Sequence, residues 1–285
     1  MTNHEKESVQ KIINFALTED LGDGDHTTLA TIPAEAKGVA IMMAKEKGIL
    51  AGAEVAAMVF ATVDPNLDIE LYLNEGASIS PGDHILKVSG KSQSILSAER
   101  TALNFIQRMS GIATFTNHVT EQLTGLNTKL LDTRKTTPGN RIVEKMAVKT
   151  GGGCNHRFGL YDMIMIKDNH VDFAGGIEKA VSKTLNYLQG KGKNLKIEVE
   201  VRNFDELNHV LSMEGVDRVM LDNFTPEDLR KAIQLVDNRI ETEASGGISI
   251  DTIRSFAESG VDYISVGALT HQIKSLDISL KAVHK

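Results

Sequence analysis

KIEVEVRNFDELNHVLSMEGVDRVML, residues 196–221, is the stretch that decides the fold. Lys196–Val201 and Arg218–Leu221 are short runs of strand length. Between them Asn203 stands before Phe204 in the position of a helix N-cap. The unit is therefore strand, short helix, strand. The rhythm continues at Ile240–Ala244 and Tyr263–Val266, so these four strands lie roughly twenty residues apart. Further helix starts fall at Thr225, with Pro226 at the first helical position, and at Ser249 or Asp251 before Ile253. Upstream, Thr128–Leu131 and Met163–Ile166 complete the series. Strands alternating with helices predict a β/α barrel, incomplete because fewer than eight strands are present.

The chain before the barrel has a different pattern. Val9, Ile12, Ile13, Ala16 and Leu17 form a helical stripe. The acidic run Glu19–Thr28 lacks the ligand spacing of an EF-hand loop and reads as a structural turn. Gly38–Ala44 and Leu67–Leu73 read as strands around a helix at Ala53–Ala61, with a further strand at His84–Val88. EGASISPGDHIL, from Glu75, resembles the half-barrels that carry biotin or lipoate. Lys91 lacks the expected flanking residues, so the stretch is read as architecture. A long helix is expected from Ser97, its N-cap, towards Met109, weakened or broken at Ser110-Gly111. Leu276, Ile278, Leu280 and Ala282 alternate with polar neighbours, which is strand period. The expected fold class is α/β. An N-terminal α/β sandwich domain spans residues 1–112, residues 272–285 return to it, and the barrel spans residues 113–271.

Composition narrows the function. The 285 residues are 41% hydrophobic and 24% charged, as in ordinary globular proteins. No apolar run is long enough to span a bilayer, and Met1–Lys11 is polar, so neither a membrane nor a secretory signal is expected. A single cysteine excludes an intramolecular disulfide and suits a reducing cytoplasm. A formal net charge of -7 argues against nucleic acid as a partner.

Against that acidic background, residues 134–170 carry seven Lys/Arg and three acids. Clustered like charges repel, and the usual compensation is a polyanionic ligand. Lys145 and Lys149 fall on a helix, Arg141–Thr150, and read as a solvated face. Arg134, Lys135, Arg157 and Lys167, set among Gly, Pro and apolar strands, read as a binding site. Gly151-Gly152-Gly153 would let the backbone approach a ligand closely. Cys154 reads as a packing residue. If the barrel is right, its carboxyl ends gather Arg134, Lys135, Lys167, Glu200, Asp222, Ser245-Gly246-Gly247 and Gly267. The last two βα loops of such barrels often hold phosphate at a helix N-terminus. Glu200 and Asp222 suit ribose hydroxyls or Mg²⁺.

Three segments carry a specific resemblance: DTRKTTPG from Asp132, GGGCNHRFGLYD from Gly151 and IKDNH from Ile166. EDLGDGDHTT and AERTALNFIQRMSGIAT extend it over essentially the whole chain. They closely resemble the quinolinate phosphoribosyltransferase family. The resemblance implies transfer of phosphoribose from phosphoribosyl pyrophosphate (PRPP) to quinolinate with decarboxylation, in NAD biosynthesis. It assigns Arg134, His156, Arg157 and Lys167 to quinolinate, with Arg100 supplied by the partner subunit of a homodimer. It sets Lys135 towards pyrophosphate and Glu200 and Asp222 at ribose and Mg²⁺. Ser245, Gly246, Gly247 and Gly267, with His271 as a candidate, would take the 5′-phosphate. Lys135, Lys167, Glu200 and Asp222 would be the catalytic set. Three alternatives stay open: a class I aldolase with Lys167 as Schiff-base lysine, a related pyrophosphorylase that takes another acceptor without decarboxylation, and a non-catalytic sensor of a phosphorylated metabolite.

Overall fold

In a computed structural model, residues 1–283 are described; residues 284 and 285 of the expected returning tail lie outside them. The chain divides into two compact units. The first comprises Met1–Asn117, Thr136–Gly152 and the segment from Ala268; the second comprises His118–Lys135 and Gly153–Gly267. This partition differs from the 1–112 and 113–271 division above, because the helix Arg141–Thr150 groups with the first unit.

The first unit opens with the helix Asn3–Leu21, whose Val9, Ile13 and Leu17 are buried as the stripe predicts. Five strands follow: β1 (Lys37–Ala44), β2 (Gly48–Ile49), β3 (Asp68–Leu71), β4 (Ser78–Ile79) and β5 (His84–Lys91). The acidic run is a turn and a cap: Asp25 accepts from the backbone N–H of Thr28 at 3.0 Å.

One expectation fails here. The long helix runs unbroken from Ser92 to Glu121, starting five residues before Ser97 and passing through Ser110-Gly111. Ser97 donates instead to Asp25 at 3.4 Å. Ser110 is buried and bonds both backbone groups of Ala51, each at 3.0 Å. A Cβ on Gly111 would collide with the carbonyl of Lys274. The helix keeps both residues because its neighbours pack too closely for larger ones, which outweighs the propensity penalty.

The second unit contains β6 (Lys129–Leu131), β7 (Ile164–Ile166), β8 (Ile197–Val201), β9 (Arg218–Asp222), β10 (Glu241–Ser245) and β11 (Tyr263–Ser265). All six expected strands are present. They form one parallel sheet of order β6-β11-β10-β9-β8-β7. The first strand lies beside the last, which is the wrap-around order of a barrel. Between β6 and β7 only an isolated bridge, Leu131 to Cys154, continues the ladder. The barrel is thus open on that side. Asn203 and Thr225 cap their helices as expected, accepting from Glu206 and Asp228.

The final strand, β12 (Ile278–Ala282), rejoins the first unit. It pairs antiparallel with β1, giving a sheet of order β12-β1-β5-β3. Met42 faces Leu280 in that register, and both are buried.

Candidate active site

Strand alternation places acids and bases on the inner face of the barrel. Glu198 and Glu200 on β8, Arg218 and Asp222 on β9, and Glu241, Glu243 and Ser245 on β10 each repeat at a spacing of two or four. Small parallel barrels are usually filled by Val, Ile and Leu. This one is filled by charge.

At the carboxyl ends, Lys167 follows β7 and its ammonium lies 3.2 Å from Glu200 Oε2. Asp222 ends β9 and is the register partner of Ser245 on β10. Burial raises the pKa of Asp222, and the negative charge of Glu200 raises it further, while Lys167 opposes both. Two carboxylates are therefore held within reach of one another. That donor set fits a hard divalent cation such as Mg²⁺.

The loop after β10 turns through positive φ at Gly246 (97°) and Gly247 (62°). A Cβ on Gly246 would collide with the side chain of Asn223, itself at φ 57°. The Asn223 backbone donates to Ser245 at 2.8 Å, so the two loops are locked together. The helix after this loop begins only at Ile253, with Thr252 rather than Ser249 or Asp251 in the position before it and no side-chain cap. The segment Ala268–His271, by contrast, starts directly after Gly267. The expected placement of Gly246 and Gly247 at a helix start is corrected accordingly.

Arg134 and Lys135 are exposed on the loop after β6. Arg157 is partly buried, and its Nη1 donates to the carbonyl of Met163 at 3.2 Å. Its pKa is lowered, first by burial and then by the positive charge of Arg134. Guanidinium groups on neighbouring loops suit an anion. Arg157 also lines a cleft of about 370 Å³ with Leu160, Met163, Met165, His170 and Lys183.

His156 lies deeper, with only 5% of its side chain exposed. Its Nε2 is 3.0 Å from Glu198 Oε2 and 3.3 Å from Glu243 Oε2. Arg218 Nη1 completes the cluster, 3.2 Å from Glu243 Oε2. Burial alone would lower the pKa of the ring, but the hydrogen bonds and charges of Glu198 and Glu243 raise it to about 9. The backbone N–H of Arg157, 2.6 Å from Nδ1, favours a bare nitrogen there. A ring that accepts at Nδ1 carries its proton on Nε2, directed at the two carboxylates. Glu198 is raised to about 6, mainly by burial and against the pull of His156. The three ligand atoms also have the spacing of a metal site. Arg218, however, already supplies a cation to Glu243.

Arg100 and His271 are exposed and belong to the first unit, whereas the other expected site residues belong to the second. Two further expectations are corrected. Lys145 is 2% exposed and not solvated, because the helix Arg141–Thr150 buries most of its surface within the first unit. Lys149 is exposed as expected. Gly151 serves packing: a Cβ there would strike the Ala113 carbonyl and Thr116 of the long helix.

Two sequence profiles match the chain. One, described as quinolinate phosphoribosyl transferase, C-terminal domain, covers residues 112–281; its N-terminal counterpart covers residues 25–110. The chain belongs to the quinolinate phosphoribosyltransferase family.

Quinolinate phosphoribosyltransferase-family relatives agree over nearly the whole chain. A chloroplastic nicotinate-nucleotide pyrophosphorylase (carboxylating) of Arabidopsis thaliana is 45% identical over 98% of this chain and 84% of its own. A probable enzyme of the same name from Bacillus subtilis is 43% identical, over 95% of this chain and 92% of its own. The solved nicotinate-nucleotide pyrophosphorylase of Francisella tularensis superposes with a TM-score of 0.91 at 41% identity, covering 97% and 96% of the two chains.

Sequence reasoning missed four residues around His156: Asp132, Glu198, Arg218 and Glu243. Asp132 is fully buried and accepts from the backbone of His156 at 2.8 Å and from Asn155 at 2.6 Å. A signal for Glu198 and Glu243 existed in IEVEV and ETEAS. Acids at every second position of a strand buried on both faces must point into the barrel and find partners there.

Proposed function

We infer that the chain transfers phosphoribose from PRPP to quinolinate and releases pyrophosphate and CO2, forming nicotinate mononucleotide for NAD biosynthesis. The observation that carries this reading is the gathering of Lys167, Glu200 and Asp222 at the carboxyl ends of β7, β8 and β9, with Arg134 on the loop after β6 and Arg157 on the segment before β7. A dicarboxylate acceptor and a polyphosphate donor both call for such fixed cations.

Arg134, Arg157 and Lys167, with His156 behind them, would orient the quinolinate carboxylates. Arg100 would reach the acceptor from the partner subunit of a homodimer. Lys135 would face the departing pyrophosphate. Ser245, Gly246, Gly247 and Gly267, with His271, would take the 5′-phosphate, and Glu200 and Asp222 the ribose hydroxyls. Mg²⁺ held through Glu200, Asp222 and the substrate would supply charge neutralisation to the leaving group. As the glycosidic bond to pyrophosphate breaks, positive charge develops at the anomeric carbon, and the pyridine nitrogen captures it. Preorganised cations at the leaving oxygens are the dominant stabilising influence in a desolvated site. N-ribosylation leaves the ring cationic, so the adjacent carboxylate departs as CO2 with its electron pair stabilised beside N⁺; a proton then replaces it. No covalent enzyme intermediate is needed, and Lys167, paired with Glu200, serves as a charge. A cytoplasmic setting belongs to the same proposal; no described helix is long and apolar enough to cross a membrane.

The test offers quinolinate, nicotinate or nicotinamide separately with PRPP and Mg²⁺. Nicotinate mononucleotide from quinolinate alone is expected. Turnover of another pyridine with quinolinate inert would overturn the acceptor assignment. Mixing Arg100→Ala with Lys135→Ala subunits tests the shared site: recovery of activity is expected, and none despite demonstrated subunit exchange would contradict it.

A further inference from the structure

The turn Asn155–Arg157 sits on the open side of the barrel, just after Cys154, which an isolated bridge ties to Leu131 of β6. It carries Arg157, whose Nη1 donates to the carbonyl of Met163 at 3.2 Å. The turn itself belongs to no strand ladder. It is held by three buried acids on three different elements. Asp132, after β6, takes the His156 N–H and the Asn155 amide at 2.8 and 2.6 Å. Glu198 on β8 and Glu243 on β10 grip His156 Nε2 from inside the barrel at 3.0 and 3.3 Å. The far side of the same ring meets the Arg157 N–H at 2.6 Å. Arg218 balances the charge at Glu243.

We propose that Glu198 and Glu243 are positioning residues for the acceptor site: through the clamped His156 ring they fix the Arg157 backbone, and with it the guanidinium that receives the dicarboxylate. This rests on the acceptor reading given above. Both acids are fully buried, so they touch no substrate themselves. Their effect is preorganisation. Without them the His156 ring and the Arg157 N–H bonded to it are free to shift, and the incoming acceptor must restore the geometry at the expense of its own binding. Displacements of about 1 Å in such positioning groups cost on the order of 100-fold in rate.

Glu198→Gln and Glu243→Gln keep the shape and remove the charge. Each is expected to raise the quinolinate KM and lower kcat/KM for quinolinate by about 10- to 100-fold, while the PRPP KM stays within about twofold of wild type. A general loss of folded structure would move both KM values together. In an Arg157→Ala background the same substitutions should add little, because the group they position is gone. Phthalate, an inert vicinal dicarboxylate, gives a binding readout without turnover: calorimetry should show weaker binding in both variants. That arm separates the two ideas. If wild type binds phthalate but does not consume quinolinate, the reaction assignment fails while the clamp is still tested by the variants. If either acid variant is unfolded, Asp132→Asn loosens the same turn from its other side and is read in the same way. Folded variants with unchanged quinolinate KM and phthalate affinity, or losses fully additive with Arg157→Ala, would overturn the proposal.

Discussion

Deep in the barrel, Arg218, Glu243, His156 and Glu198 direct their charges at one another over 3.0 to 3.3 Å. At the rim, burial and then the charge of Arg134 lower the pKa of Arg157, and burial and then the charge of Glu200 raise that of Asp222. The same residue types occur in the same sheet, a few ångströms of strand apart. What separates them is depth: the interior charges are buried and pair with one another, whereas Arg134 is exposed and Arg157 and Asp222 are half-buried. Interior charge should therefore govern stability, reaching catalysis only through the His156 ring that it holds, and rim charge should act on catalysis directly.

The largest effect expected from this contrast is on stability. Arg218→Met leaves Glu243 buried without its guanidinium, and denaturant unfolding should show a loss of about 3–5 kcal/mol. A loss below about 1 kcal/mol would mean that the cluster is not paired in the way described. Arg134→Ala should do the converse. It should remove about 3–4 kcal/mol of transition-state stabilisation, read from kcat/KM, and change stability by no more than about 0.5 kcal/mol, because the side chain is exposed. Normal turnover in the folded variant would take Arg134 out of the site.

Smallest is the loop strain: Gly246→Ala, at φ 97° and against Asn223, should cost about 1–3 kcal/mol and raise the PRPP KM. An unchanged KM would separate that glycine from the 5′-phosphate.

The difference between interior and rim also explains what the sequence disclosed. The six barrel strands and the returning tail were legible because strand length, caps and alternation are local properties. Arg134, Arg157, Lys167, Glu200 and Asp222 were legible because rim residues sit where a strand stops, and the stops can be read. Glu198, Glu243 and Arg218 were missed because their partners come from strands distant in sequence. Only the closed sheet shows that His156 sits between β8 and β10. The long helix through Ser110-Gly111 was misjudged for a related reason. Propensity is local, whereas the carbonyl of Lys274 that demands a glycine is 163 residues away. Lys145 failed likewise: amphipathic spacing does not reveal a helix covered on nearly all sides.

The most direct measurement of the central claim follows pyrophosphate and CO2 together from the wild-type protein supplied with quinolinate, PRPP and Mg²⁺. Equimolar pyrophosphate and CO2, with neither formed when either substrate is omitted, is the predicted result. Pyrophosphate without CO2, or CO2 without PRPP, would contradict it.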